Sequence, residues 1–561
     1  MKSEGDGGSQ GGEMNDKGVI SIRIYVADQS DTLRKIAQKF HINLSDLISL
    51  NYRIQGPDRP LTGSPVYLPL AASEGRAYSG PGCSHVTPAP VSEGSWIPTS
   101  SLEEMSQTEY DVLIVGTGPG GGAVLWRLCE QWRNNGKKIG IVEAGNLLLP
   151  THARNIETMG YKRWLDLAYN SPRFKIPVSG TAFRQLIAVG GRSLVWSGVS
   201  PRMYLTPEQW PVPGWEMDMY YNIAEQAMNV TTGYTEGSPM NQLLLNQLRN
   251  GPYPAAVNEP LAVDLEPTRY GEIHSNVFFS SISFLAEALY RKPYDLAVLA
   301  RAVQVVTEQG RVAGVHVMTQ DKRSYVLKAK TVVLSASTFG TPRILLHSGI
   351  RGNAIGHYLT NHSAAVGTAK FNRKDYPYVL GPIGLLIPET EKVPYQVVVE
   401  GPIGYQFYHD KQIPFQEEMD LFIAGFGTVQ PRYENKITLD PCRRDEYGMP
   451  ELRIHFDYNE AERAILGQAA EEVKRVSSVI GARLVSLELR EPIAGDHEAG
   501  TCRMGDDPDT SATDRYGQIH GVPGLYVADN SIFPVMGAAN PTLAMVALAI
   551  RTADYIIRQL K

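Results

Sequence analysis

Cysteine is scarce in this chain: four in 561 residues, at Cys83, Cys129, Cys442 and Cys502, with no C-x-x-C pair among them. That excludes a disulfide-framed secreted module, and the four thiols suit a reducing compartment. Long apolar runs are missing as well. None approaches the roughly 20 residues needed to span a bilayer, so no membrane span is expected. There is no basic excess: 53 Lys and Arg stand against 59 Asp and Glu, a net charge of −6. A broad cationic surface is therefore absent, and a nucleic-acid partner is not expected. No His, Cys or Asp cluster has metal-ligand spacing, so no metal is expected either. The opening stretch MKSEGDGGSQGGEMNDKG lacks the apolar centre of a secretory signal, which points to a cytoplasmic protein. No internal repeat is visible, and the length exceeds what one hydrophobic core fills, predicting two to four domains.

What is present is organised around Tyr110–Gly145. Asp111 to Val115 is a short, β-branched, apolar run, the pattern of a strand buried on both faces. It ends in Gly116-x-Gly118-x-x-Gly121 and passes into helix formers from Ala123 to Trp132. One glycine is expected to make the tight turn, one to admit a pyrophosphate to the backbone, and one to let the helix lie on the strand. Phosphates would sit at the helix N-terminus, where free N–H groups and the dipole favour negative charge. A second strand, Ile139 to Val142, delivers Glu143 at the spacing of a ribose contact. A carboxylate there repels a 2′-phosphate and favours FAD or NAD over NADP.

Before this stretch, residues 1–18 are glycine-rich and acidic and are expected to be disordered. In residues 19–70, Ile22, Ile24 and Val26 alternate as a strand. Ser30 or Asp31 is expected to cap a helix bearing Leu33, Ile36, Ala37 and Phe40, and Ser45 to begin a second. Val66–Pro69 reads as a closing strand. This β-α-α-β module, with YVADQSDTLRKIAQKF, LISLN and GSPVYLP, resembles a LysM domain, although Ser30-Asp31 stands where the family usually has Gly-Asp. The resemblance implies binding to an N-acetylglucosamine polymer such as peptidoglycan or chitin. It would also suit a wall-associated assembly protein, for which nothing else in the sequence speaks. Residues 71–105, rich in Ser, Gly and Pro, read as a linker.

After the glycine turn, VGGRS at 189–193 places Gly190, Gly191 and Ser193 where backbone would pass close to a bulky ligand. Met217 to Met228 reads as an amphipathic helix, and Ala300 to Ile350 as short strands followed by a glycine turn and helix. Residues 351–489 are rich in aromatics: Tyr376, Tyr378, Tyr395, Tyr405, Phe407, Tyr408, Phe415, Phe422 and Phe426. An antiparallel sheet is expected there, with each aromatic more readily a core residue than a ligand contact. Near the end, GDHEAGTCRMG from Gly495 is followed by Gly524 to Ala528, a strand delivering Asp529 toward a ribityl or phosphate group. Asn540-Pro541-Thr542 then opens a final apolar helix whose N-terminus offers N–H dipoles to an electron-rich ring edge.

With GTGPGGG, Glu143, VGGRS, GTPRILLHSGI, H-x-x-G-T-C-R-M-G, VADNS and NPT in this order, the chain from about residue 108 onward resembles the glucose-methanol-choline (GMC) family of FAD oxidoreductases. The resemblance implies an α/β fold, an FAD-binding Rossmann-like domain with an antiparallel-sheet α+β substrate domain, beside the small βααβ LysM-like domain. The implied FAD-binding parts are residues 106–215, 275–350 and 490–561, and the substrate parts 216–274 and 351–489. His497 and Asn540 fall at the family's active-site pair, in the combination of its pyranose-oxidase-like branch. That branch often attaches flavin to a histidine before a Trp. Here Val195 precedes Trp196, so non-covalent FAD is implied. His357 and His362 lie outside the catalytic motif and are read as structural, Cys502 as packed, and Glu498 as without a clear role.

The expected chemistry is oxidation of an alcohol, foremost a sugar, glycoside or polyol hydroxyl, to a ketone or aldehyde. Hydride would pass to the flavin while His497 takes the hydroxyl proton and Asn540 bonds the developing alkoxide. The electron acceptor is left between oxygen and a quinone-like compound. Three other readings stay open at this point: a GMC oxidoreductase for non-sugar alcohols, a glycan-binding assembly protein using the LysM-like module, and an NAD-dependent dehydrogenase.

Overall fold

The computed structural model describes residues 23–51, 54, 56–68, 96–156, 158–170, 175–178, 181–204, 206, 209–266, 277–375, 381–403, 417–490, 492 and 497–561. The expected disorder of residues 1–18, Ile22, Cys83 and most of the expected linker lie outside these residues. So do Tyr376, Tyr378, Tyr405, Phe407, Tyr408 and Phe415.

The N-terminal module pairs Arg23–Val26 antiparallel with Pro65–Leu68 and packs the helices Leu33–Lys39 and Leu44–Leu50 against them. Leu33, Ile36, Leu47, Val66 and Leu68 close a small core. The helix caps differ from the expected ones by a residue or two. Thr32 caps the first, its hydroxyl accepting from the Lys35 N–H, because Ser30 is turned into a positive-φ bend. Asn43 caps the second through the Ser45 N–H. Asn51 locks the module shut: buried, it donates to the Leu47 and Tyr67 carbonyls and accepts from the Tyr67 N–H.

The large core is built on a seven-stranded sheet. Asp295–Ala297, Ile139–Val142, Glu109–Val115 and Ser324–Leu334 run parallel, and Leu525–Val527 joins the last of these in parallel. Ser324–Leu334 changes partner along its length. Its first half pairs antiparallel with Arg311–Met318, which in turn pairs with Arg301–Glu308. Glu109–Val115 is buried from its second residue to its last, as its unbroken apolar run requires. Helix Pro119–Trp132 lies beside Thr542–Gln559 and Ser281–Arg291 on this sheet. The end of the expected linker belongs to the same core. Ser101 and Glu104 form a capping box on helix Leu102–Ser106, whose Leu102 and Met105 are buried, as is Ile97.

A second, six-stranded sheet is antiparallel throughout, in the order Arg483–Leu489, Ser363–Asn372, Glu418–Gly427, Tyr395–Gly401, Ile383–Ile387, Val257–Asn258. The expectation of a sheet in 351–489 omitted helix Glu460–Val479, which covers one face. Asn459 and Glu462 cap it reciprocally, and Ala469, Ala470, Val473 and Val476 face the sheet core. Small residues meet there: a side chain at Gly425 would come 3.0 Å from the Ala469 carbonyl. A four-stranded sheet joins Lys436–Arg444 and Pro450–His455 to Lys175–Val178 and Thr181–Arg184. No helix among the described residues is long and apolar enough to cross a membrane.

Candidate active site

A cavity of about 560 Å³ is lined by residues of both large sheets and of the loops beside them, among them Gly116, Gly118 and Glu143 as well as His497 and Asn540. Its floor begins at the glycine turn. Gly116 adopts φ +102°, and a side chain there would strike the Ser335 carbonyl at 2.3 Å. Gly121 lies against Gly116 itself, so this pair sets how closely the helix approaches the strand. Gly118 borders the cavity with no atom within 4 Å of where a side chain would start. Helix Pro119–Trp132 has no side-chain cap, so its first N–H groups are available to a ligand. Gly120, not singled out in the sequence, is as constrained as its neighbours: a Cβ would stand 1.9 Å from the Ala528 carbonyl.

Glu143 lines the cavity and holds the turn. Its carboxylate accepts from the Thr117 N–H (3.0 Å) and hydroxyl (2.7 Å), and from the Gly145 N–H (2.8 Å). The Thr117 hydroxyl in turn accepts from the Gly190 N–H (3.1 Å). Gly190 and Gly191 both have positive φ. Gly191 and Ser193 line the cavity, whereas Gly121 and Gly190 stand behind the lining. The Ser193 hydroxyl donates to the Gly190 carbonyl and accepts from the Ser281 N–H, so it fixes the turn rather than reaching outward.

Asp529 borders the cavity, and its acceptor sites serve protein donors. One oxygen takes the Ser531 N–H and hydroxyl, the other the Ser337 N–H and the Thr341 hydroxyl. Burial raises its pKa against these bonds. The sequence expectation of a ribityl or phosphate contact thus meets a carboxylate already occupied as a brace, one that holds Ser337 at φ +76° beside the cavity. Pro541 and Thr542 line it at the uncapped start of the last helix.

Elsewhere in the lining, His497 Nε2 stands 3.5 Å from Asn540 Nδ2. Gln396 Nε2 donates to Asn540 Oδ1 at 2.8 Å, which turns the amide NH2 toward the histidine. His497 Nδ1 lies 2.9 Å from His362 Nδ1. His362, read from the sequence as structural, is therefore in direct contact with the candidate base; their separation of 135 positions in the chain hid this. His357 stacks on Tyr433 at 3.8 Å instead. Burial pushes the His497 pKa down to about 3, with Arg192 and Arg490 adding to the effect. Arg192 bonds Glu498 at 2.8 Å, which gives that glutamate a place at the site. Phe422 and Phe426 form cavity wall, contrary to the preference for core, with the Phe426 ring 5.5 Å from His497. Arg154 and Glu400 complete the polar lining near the second sheet. Cys502 is fully buried. Among the described residues no three His, Cys, Asp or Glu side chains gather as metal ligands.

Residues 187–364 and 431–549 match the N- and C-terminal sequence models of the GMC oxidoreductases, together more than half of the chain. The chain belongs to the GMC oxidoreductase family. Residues 25–69 match the LysM domain. Similar curated proteins include a C-glycoside 3-oxidase of Arthrobacter globiformis, 29% identical over 66% of this chain and 74% of that one. A 2-methyl-1,2-propanediol dehydrogenase of Mycolicibacterium austroafricanum is 25% identical over 81% and 96% respectively. A pyranose 2-oxidase of Tricholoma matsutake is 25% identical over 41% and 47%. Pyridoxine 4-oxidase from Mesorbium loti shares the fold, with a TM-score of 0.58 at 15% identity, covering 80% of this chain and 99% of its own. This GMC oxidoreductase is thus an enzyme acting on CH–OH groups, from an FAD-binding family, with a LysM domain at its N-terminus.

Proposed function

We infer that this GMC oxidoreductase oxidises a secondary or primary hydroxyl of a sugar, glycoside or related polyol to a ketone or aldehyde. The observation that carries this reading is the His497–Asn540 pair, set 3.5 Å apart in the same cavity that the glycine turn lines. An alcohol oxygen there finds one acceptor and one donor. Its O–H donates to a neutral imidazole, and its lone pair accepts from the Asn540 amide as negative charge develops. Proton removal breaks the O–H bond and forms an N–H bond on His497. The relatives' names supply the sugar and polyol class; Arg154 and Glu400 give the cavity charged groups able to bond several hydroxyls.

The residues fit FAD held without a covalent link. The open backbone at Gly118, the uncapped helix start and Glu143 suit a pyrophosphate and ribose. Val195, before Trp196, offers no group for attachment to a flavin. A bound flavin supplies the hydride acceptor. The family assignment also displaces the NAD reading.

Anaerobic mixing of the yellow enzyme with sugars, glycosides, polyols and simple alcohols tests the proposal. Bleaching by members of the first three groups is expected, and readmitted air or a quinone then identifies the electron acceptor. His497→Ala should stay yellow yet reduce its flavin ~10²–10⁴-fold more slowly. Wild-type reduction by that variant would refute the assignment of the base.

A further inference from the structure

The contacts around His497 have a direction. His362 Nε2 lies 2.7 Å from the Gly537 carbonyl, which can only accept, so Nε2 carries a hydrogen. In a neutral imidazole the second nitrogen then bears a lone pair. That nitrogen, His362 Nδ1, is 2.9 Å from His497 Nδ1, and the hydrogen between them must belong to His497. His497 Nε2 is consequently bare. It faces the Asn540 amide nitrogen, and Gln396 holds that amide's oxygen away.

We propose that His362 is a positioning residue that locks His497 in its Nδ1–H tautomer and so presents the Nε2 lone pair to the substrate hydroxyl. The proposal rests on His497 being the base. Burial keeps both rings neutral, lowering the His362 pKa far below its ordinary value. The backbone of His362 is itself held: its N–H donates to Asn361 Oδ1, and its carbonyl accepts from the Tyr458 hydroxyl. Its ring therefore has little freedom to turn. When Nε2 accepts the substrate's proton, the Nδ1–H donation to His362 persists unchanged, so no hydrogen bond behind the base is remade. The Gly537 carbonyl that anchors the chain lies three residues before Asn540, and the adjacent Ala538 N–H is held by Glu389 at 2.8 Å. One short loop thus sets both the tautomer of the base and the placement of the amide.

The test uses holoenzyme with ¹⁵N-labelled histidine, the His497 signals being assigned by their loss in His497→Gln. A protonated Nδ1 and a pyridine-like Nε2 are expected. The opposite assignment overturns the proposal whether or not any alcohol reduces the flavin, so it is separable from the reading of the function. In parallel, His362→Leu removes the acceptor, whereas His362→Asn places an amide oxygen near the position of Nδ1. Leu should slow flavin reduction on the order of 10- to 10³-fold with substrate affinity changed less than about threefold, and should mix the His497 tautomers. Asn should recover to within about tenfold of wild type. A folded, yellow His362→Leu enzyme reducing at the wild-type rate would overturn the proposal. If that variant does not fold, the wild-type tautomer decides alone.

Discussion

The imidazole of His497 keeps a free lone pair because its surroundings deny it a charge. It is enclosed by protein except where it meets the cavity, and Arg192 and Arg490 add positive potential to the cost of burial. Glu498, bonded to Arg192, tempers that potential without reversing it. His362 adds no charge, being neutral itself. The sign of the pH dependence follows. His497 loses its lone pair only as pH falls through about 3, instead of through the ordinary value near 6.5. The rate constant for anaerobic flavin reduction should therefore stay within about twofold between pH 5 and 8. A fall with a midpoint near 6.5 in stopped-flow traces would show an imidazole in ordinary surroundings. Arg192→Gln should raise the midpoint. His497 and Asn540 were legible in the sequence because each sits in a compact motif. His362 and Gln396 were not, since what gives them meaning is contact across 135 and 144 residues of chain.

At the level of elements, the glycine turn was readable because its geometry is local. A buried strand, a turn and a helix start must follow one another within a few residues, and each glycine answers to a neighbour that the turn itself creates. Gly120 escaped notice because its constraint comes from Ala528, just past the strand Leu525–Val527 and more than 400 residues later. Helix Glu460–Val479 escaped for another reason. Its sheet-facing residues are mostly alanine and valine, which make a faint apolar stripe beside the aromatic strands around it. The turn's two roles separate by substitution. Gly120→Ala drives a methyl into the Ala528 carbonyl and should cost about 1–3 kcal/mol of stability, read as a lower Tm of the apoprotein. Gly118→Ala has room and should leave that Tm unchanged. Its methyl would border the cavity beside the glycine turn, and flavin affinity should drop roughly tenfold, about 1.4 kcal/mol. Equal losses of Tm in both variants would mean that the two glycines share one packing role.

For the whole molecule, the LysM domain has its own sheet and a small core of its own, with Val26 packing into the core of the six-stranded sheet, while among the described residues the chain joins the core of the seven-stranded sheet at Ile97 and the capped helix after it. Among the described residues, none before Val115 lines the cavity. Separable roles are expected from this arrangement: a LysM domain that holds a polymer would raise the local concentration of hydroxyl substrate at the cavity. A chain beginning at residue 96 keeps Ile97 and the Ser101–Glu104 cap, and so should retain flavin and reduce it with a soluble polyol at a rate within about twofold of the full chain. In cosedimentation with insoluble chitin or peptidoglycan, the full chain should pellet and the shortened one should remain in solution. Should both remain in solution, the LysM domain has no such polymer as its ligand. Should the shortened chain lose its flavin, the packing of Val26 against the six-stranded sheet takes part in building the catalytic unit, and the two roles are not separable.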